Sequence, residues 1–120
     1  MPTLDRVREF IARVEARDYV GALVDFYHED VTVQENLGDA RHGRDALIAH
    51  EIDIASRFGS VPVRKVERFA VNGDTVFINW IFELRAMDGK ARILDEVAMQ
   101  TWRDDRIAAE RFYYDPATMK

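Results

Sequence analysis

An acidic side chain stands where the alternation of a strand would place an apolar one. In the segment VTVQENLGDARHG, residues 31–43, a strand puts Val31, Val33 and Glu35 on one face. The two valines indicate that this face is buried, and burial would raise the pKa of Glu35 into the range that a general base needs near neutral pH. Strand ends also expose charges, so a solvated Glu35 paired with an arginine of the following loop stays open.

A histidine and a second glutamate lie on a later predicted helix. Glu51 falls near the middle of the apolar arc of that helix and His50 at its edge, so periodicity alone buries Glu51 more deeply. Imidazole is the natural proton carrier at neutral pH, and a pair of Glu35 and His50 would be chemically competent. A lone histidine at a helix edge is more often a surface residue, and either side chain could point inward.

Three helices are predicted in the first half of the chain to position these groups. Apolar residues recur there at spacings of three and four. Thr3 and Asp18 are suitable N-caps for the first two helices. The third helix is expected to run from Arg44 to Phe58 and to end before Gly59.

From Val61 onward the hydrophobic period changes to two, which indicates strands. The expected strands cover residues 61–71, 74–86, 90–103 and 106–114, after a short opening strand at residues 31–36. Asn-Gly and Asp-Gly pairs between them are strong hairpin signals. The predicted fold is a single α+β domain over residues 1–120, with three N-terminal helices packed on a strongly curved, mainly antiparallel sheet as a cone-shaped barrel.

The element order and the residues YHEDVTVQENLGDARHGRDAL resemble the nuclear transport factor 2-like superfamily, in its SnoaL-like and ketosteroid-isomerase-like branch. The resemblance rests on the aromatic and acidic run before the short strand and on the helix start at Gly43-Arg44. It extends over nearly the whole chain. It is specific for fold and unspecific for chemistry, because the superfamily contains isomerases, polyketide cyclases, dehydratases, epoxide hydrolases and proteins that only bind or dimerise.

The resemblance also assigns roles by position. Glu35 falls where ketosteroid isomerases have their general-base aspartate, and His50 where they have an aromatic residue lining the pocket. Phe10 and Ala98 replace the two oxyanion donors of that family. Because such donors usually supply the larger share of the rate, ketosteroid isomerisation itself is not expected.

One turn decides which sheet residues face the interior of the cone. If Asp88-Gly89 is a two-residue turn, the face of Trp80 continues through Ile93, Asp95, Val97 and Met99. If Met87 joins the turn, that face continues through Leu94, Glu96, Ala98, Gln100 and Trp102. The position of Ala98 in the resembled family favours the second register. The expected substrate-binding residues are then Trp80, Glu96, Gln100, Trp102, Glu110, Phe112 and Tyr114, although the two tryptophans could equally be core.

The leading hypothesis is a SnoaL-like small-molecule pocket protein, an acid–base isomerase, cyclase or dehydratase acting on a hydrophobic carbonyl compound. Glu35 would abstract or relay a proton, His50 would assist, and Gln100 or Tyr114 would orient the carbonyl. The alternative is a non-catalytic ligand-binding or dimerisation module. The acid on an apolar face favours the enzyme, and the lost oxyanion donors favour the alternative.

The composition of the chain limits the kinds of partner that we expect it to bind. The net charge of −5 argues against nucleic acid, the apolar runs are too short to span a membrane, and no cysteine is present. We expect no cofactor and no metal, a cytoplasmic location and a small hydrophobic organic molecule as ligand. Phe77 and Ile81 would lie on the outer face of the sheet, which predicts a homodimer through that face.

Overall fold

The computed structural model describes residues 1–85 and 89–119 of the chain. The α-helices are α1 (Leu4–Glu15), α2 (Tyr19–Phe26) and α3 (Arg44–Phe58). The strands are β1 (Tyr27–Glu35), β2 (Arg41–His42), β3 (Phe69–Asn72), β4 (Thr75–Arg85), β5 (Ala91–Arg103) and β6 (Arg106–Tyr113). A short 3₁₀ helix follows at Pro116–Met119.

Side-chain caps start the first two helices where the sequence predicts. Oγ1 of Thr3 accepts a hydrogen bond from the backbone N–H of Arg6 at 3.1 Å. Oδ1 of Asp18 accepts from the N–H of Gly21 at 3.0 Å. Each cap pairs a backbone donor that the helix itself leaves free.

The strands form one curled, unclosed sheet in the order β2-β1-β6-β5-β4-β3. Four of the five neighbouring pairs are antiparallel, whereas β1 and β6 run parallel. The helices precede the meander in the chain, and the predicted α+β class, with helices laid on a mainly antiparallel sheet, is confirmed.

Two predicted strand boundaries are wrong. The opening strand begins at Tyr27 rather than at residue 31, directly after α2. The expected strand at 61–71 is reduced to β3, because the chain before it contacts β4 only intermittently. There the N–H of Glu83 donates to the carbonyl of Pro62 at 2.9 Å, and proline has no N–H with which to continue the ladder.

The register of β4 and β5 places the second of the two predicted sets on the inner face. Ile78 lies opposite Ala98 and Trp80 lies opposite Glu96. Residues 86–88, on which the choice between the two predicted turns depends, lie outside the described residues. Arg85 and Ala91 are the last pair on either side of it.

Aromatic rings fill the deepest part of the space between α1 and the sheet. The ring of Phe10 lies 5.4 Å from Phe26 and 5.9 Å from Tyr27, centroid to centroid. Its centroid is 6.0 Å from each of the rings of Trp80 and Trp102, both near perpendicular. Edge-to-face contacts of this kind add to the free energy gained by burial.

Candidate functional site

A cavity of about 1310 Å³ lies between the helices and the inner face of the sheet. It remains open because α3 packs loosely: Leu47 is the only fully buried residue among those of α3. Among the apolar side chains of α3, Ile52 is 57% exposed and Phe58 49% exposed. This loose packing leaves room for a ligand-sized space.

A chain of hydrogen bonds underlies the cavity floor. Tyr27 donates from its hydroxyl to Oε1 of Glu110 at 2.5 Å, and Gln100 donates from Nε2 to Oε2 of the same carboxylate at 2.6 Å. Nε1 of Trp102 donates in turn to Oε1 of Gln100 at 3.0 Å. All four side chains are buried, so each bond satisfies a group that has no access to water.

Burial dominates the acidity of Glu110. It raises the pKa of Glu110 to about 7, while the hydrogen bonds from Tyr27 and Gln100 lower it and so limit the rise. The pKa of Tyr27 lies well above its ordinary value because the phenol is buried beside Glu110. The floor of the cavity therefore holds a carboxyl group that titrates near neutral pH.

Glu96 is the second buried acid of this face, and its carboxyl group lines the cavity. It is 7% exposed and has no hydrogen-bond partner among residues 1–85 and 89–119. Burial and, to a smaller extent, the neighbouring carboxyls of Glu110 and Glu35 together raise its pKa to about 8. At neutral pH Glu96 is mostly a neutral acid that can donate a proton into the cavity.

Glu35 is exposed, so of the two possibilities that the sequence left open the structure has the strand-end carboxylate that reaches solvent. It is the last residue of β1, and the next residue, Asn36, turns the chain with a φ of 50°. Alternation placed Glu35 on the inner face correctly, opposite Phe112, but beyond the cover of the helices. It lies where the main cavity meets a groove of about 530 Å³.

A group of polar side chains surrounds Glu35 at this rim. Burial and the charge of Arg41 lower the pKa of His50, while Glu35 and Asp53 oppose that shift. Burial and Glu35 raise the pKa of Tyr114. His50 is consequently a neutral imidazole at pH 7, able to accept a proton at the cavity rim.

The predicted site residues fall into two groups. Those that line the cavity are Glu35, His50, Trp80, Glu96, Glu110, Phe112 and Tyr114. Gln100 and Trp102 lie behind the floor instead, at 0% and 2% exposure. Both ends of the Gln100 amide are hydrogen-bonded, to Glu110 and to Trp102, and Gln100 does not line the cavity, which leaves Tyr114 of the two residues expected to orient a carbonyl.

Two further residues complete the site. Glu51, which periodicity placed inward, is half-buried in the cavity wall, and burial raises its pKa. Tyr27 was not predicted to be a site residue, because it was expected to lie before the opening strand. Tyr27 directly follows Phe26, the last residue of α2, and is the first residue of β1. An aromatic residue at such a change from helix to strand was the one feature that could have indicated its place in the site.

Neither a metal cluster nor a membrane span is present in the described part of the chain. No group of three or more His, Cys, Asp or Glu side chains there could hold a metal ion. No helix among the same residues is long and apolar enough to cross a membrane.

N-terminal helices laid on a curled sheet around an open cavity define the nuclear transport factor 2-like class of α+β folds. Within it the chain belongs to the SnoaL-like domain family, which it matches over residues 7–110. That family and this fold agree with the resemblance seen in the sequence. No protein of curated function matches the chain.

Solved structures share the fold over nearly the whole chain. A candidate SnoaL-like polyketide cyclase from Mesorhizobium loti is 24% identical, with a TM-score of 0.80, over 95% of this chain and 100% of that one. TerC co-crystallised with polyporic acid is 19% identical, with a TM-score of 0.80 and coverages of 99% and 95%. A protein of unknown function with a cystatin-like fold from Xanthomonas campestris is 18% identical, with a TM-score of 0.83 and the same coverages.

Proposed function

We propose that the cavity binds a hydrophobic organic molecule with a carbonyl group and that the protein acts on it by acid–base chemistry. The reaction would be an isomerisation, an aldol-type cyclisation or a dehydration. The observation that supports this is Glu96, a buried carboxyl without a hydrogen-bond partner among the described residues, in the wall of a cavity with aromatic sides. A site with a few polar groups among aromatic rings suits a flat or cyclic ligand.

Glu96 is the proposed proton donor to the carbonyl oxygen. Its pKa of about 8 keeps the acid protonated at neutral pH and close enough to neutrality to exchange the proton readily. Trp80, which lies opposite Glu96 and is 3% exposed, offers a flat surface against which a ring would stack. Glu110 remains hydrogen-bonded below and holds the floor in place.

Glu35 and His50 are the proposed proton-exchanging pair at the rim. Both line the same cavity, and the charge of Glu35 acts on the imidazole. In this arrangement Glu35 takes up or relays the proton that the substrate releases, His50 passes it to water, and Tyr114 orients the ligand. The exposed position of Glu35 suits exchange with solvent better than abstraction in a dry site.

Binding is tested with a flat aryl ketone such as 2-acetylnaphthalene. In a Trp102→Phe background Trp80 is the remaining indole, and its fluorescence should change saturably with the ketone. Ile54→Trp fills the cavity and should abolish ketone binding. Binding to this variant is measured by calorimetry, because the new indole would add to the fluorescence of Trp80. Ile52→Trp, on the exposed side of the same helix, is the matched control and should bind normally. Equal binding by both helix variants would contradict the assignment of the cavity.

Chemistry is tested by hydrogen–deuterium exchange at the α-carbon of the bound ketone in D₂O, followed by proton NMR. Glu96→Gln should lower the exchange rate by at least about tenfold, since general acid–base groups contribute about 10²–10⁴-fold. Glu83→Gln, which removes an exposed carboxylate at the cavity mouth, should leave the rate unchanged. Glu35→Gln and His50→Gln should lower it by smaller factors.

A ligand-binding module without chemistry is the second candidate. It is favoured by the occupied amide of Gln100 and by Phe10 and Ala98, which bring no hydrogen-bond donor to the cavity. Saturable ketone binding without enzyme-dependent α-exchange would establish this candidate and exclude the first.

We also propose that a second copy of the chain covers the outer face of the sheet. Large apolar side chains lie exposed there, namely Phe77 (38%), Ile93 (46%), Val97 (39%) and Tyr113 (40%). Val97 pairs directly with Tyr113, and the four side chains are spread over the outer face of three neighbouring strands, β4, β5 and β6. Such surfaces on monomeric proteins are uncommon unless a partner buries them.

A further inference from the structure

Acidic and basic side chains lie at different depths in the cavity wall. The buried charged side chains in its wall are acids, Glu96 at 7% and Glu110 at 4% exposure, and Glu51 is half-buried. The arginines that line it lie towards solvent: Arg17, Arg41, Arg57 and Arg85 are exposed and Arg92 is half-exposed. No lysine or arginine of the described lining is therefore placed to pair with the acids of the floor.

Aromatic rings stand beside the acid that has no partner. Trp80 lies opposite Glu96 in the sheet, and its ring centroid is 6.3 Å from Phe82 and 6.0 Å from Phe10. The faces of such rings carry negative electrostatic potential and attract cations. A buried carboxyl with free hydrogen-bonding capacity beside aromatic rings is a combination suited to positive charge on a ligand.

We infer that the cavity takes a compact organic cation, a protonated or quaternary amine on an apolar body, with its charge between the Glu96 carboxylate and the ring of Trp80. The inference deepens the proposed function, because it rests on the same cavity admitting a small molecule. It differs in the ligand class: a cation requires Glu96 to be ionised, whereas a carbonyl ligand requires Glu96 to be protonated.

Binding of the cation expels one proton. The bond that breaks is the O–H of the Glu96 carboxyl group, and its proton passes to the solvent buffer. The titratable and charged groups that face Glu96 are Glu110 on β6, Glu35 and Tyr27 on β1, Tyr114 after β6 and Glu51 on α3. Burial and the negative charges of Glu110 and Glu35 favour the protonated acid in the empty cavity, so an arriving positive charge reverses the balance.

The probe is benzyltrimethylammonium, whose charge does not change with pH, compared with the near-isosteric neutral 2,2-dimethyl-1-phenylpropan-1-ol. We expect the cation to bind at least about tenfold more tightly than the alcohol at about pH 8. Its affinity should rise by up to about tenfold per pH unit between about pH 6 and pH 8. Titration calorimetry at about pH 7, where Glu96 in the empty cavity is mostly protonated, should show release of close to one proton in buffers of different ionisation enthalpy.

Glu96→Gln should remove the preference for the cation and the proton release. Glu83→Gln makes the same substitution at the exposed mouth and should keep both. Equal affinity for cation and alcohol, affinity independent of pH, or equal losses in the two variants would overturn the inference.

The ketone separates this inference from the proposed function. In Glu96→Gln the amide N–H still donates to a carbonyl, so ketone binding should persist within a few-fold while cation binding is lost. Ketone binding without cation binding in the unmodified protein would overturn the inference alone. Cation binding without ketone binding would overturn the carbonyl proposal alone, and binding of neither would overturn both.

Discussion

Gln100 donates a hydrogen bond from Nε2 to Oε2 of Glu110 at 2.6 Å, in a core where the two side chains are 0% and 4% exposed. The other end of the same amide accepts from Trp102, so Gln100 is held at both ends. This fixes the carboxylate of Glu110 below the cavity and limits the rise of its pKa. Gln100 is thus a positioning residue for the floor.

Replacing Gln100 by methionine should destabilise the protein. The variant leaves Nε1 of Trp102 and Oε2 of Glu110 without their partners in a buried site, and a buried unpaired polar group costs about 1–3 kcal/mol. We expect a loss of about 2–4 kcal/mol in the free energy of unfolding, measured by urea denaturation.

The other glutamine of the chain provides the control. Gln34 is half-buried and donates from Nε2 to the carbonyl of Gly38 at 3.0 Å, in an exposed turn. Gln34→Met should cost less than about 1 kcal/mol because water replaces the lost partner. Similar losses in both variants would show that the buried network adds little.

Tyr27→Phe should raise the pKa of Glu110 further. The substitution removes the 2.5 Å hydrogen bond to Oε1, one of the two contacts that lower this pKa, while burial remains. The measurement is a ¹³C NMR titration of the glutamate side-chain carboxyl carbons. Tyr113→Phe, on the exposed outer face, should leave the titration unchanged. A Glu110 pKa that stays near 7 in Tyr27→Phe would contradict the role of the phenol.

The stability of the protein should fall as the pH rises from about 4.5 to about 8. Glu96 has a folded-state pKa of about 8, above its ordinary value of 4.5, so the unfolded chain releases the proton first. Stability due to this group is complete below about pH 4.5 and is lost as pH passes through the folded pKa. Glu110 adds the same effect up to its pKa of about 7.

Glu96→Gln should flatten the upper part of this profile. Each unit of pKa difference corresponds to about 1.4 kcal/mol, so the stability of the variant relative to the native protein should rise progressively between about pH 4.5 and pH 8. Urea denaturation at a series of pH values measures it. Glu67→Gln, which removes an exposed acid, should follow the native profile. A native protein whose stability is constant from about pH 5 to pH 8 would contradict the raised pKa.

Local signals in the sequence predicted the helices well. Thr3 and Asp18 cap where expected, and α3 spans the predicted residues 44–58. A helix cap or a hairpin turn depends on residues that are neighbours in the sequence, so a few positions are enough to predict it. The register of β4 and β5 was not determined in this way, because slipping by one residue exchanges two equally plausible apolar sets.

The alternation of apolar and polar residues along a strand did not predict how deeply each side chain is buried. The pattern placed Glu35 on the correct face, yet Glu35 is exposed because β1 ends there and no helix covers it. Glu110 is on the same face and is buried, because β6 lies between β1 and β5 under the helices. Whether a side chain is buried depends on the elements that cover it, and these are distant in the sequence. The alternation within a strand does not predict them.

A charge on the outer face of the sheet should prevent dimerisation. Val97→Lys places an ammonium group beside Tyr113 among the exposed apolar side chains, where a partner copy would have to remove it from water. We expect the native protein to sediment at about twice its mass of 13.9 kDa, and the variant as a monomer. Ile52→Lys changes a more exposed apolar residue on α3 and should leave the dimer intact. A native monomer at high concentration, or a dimer broken by Ile52→Lys instead, would move the interface away from the sheet.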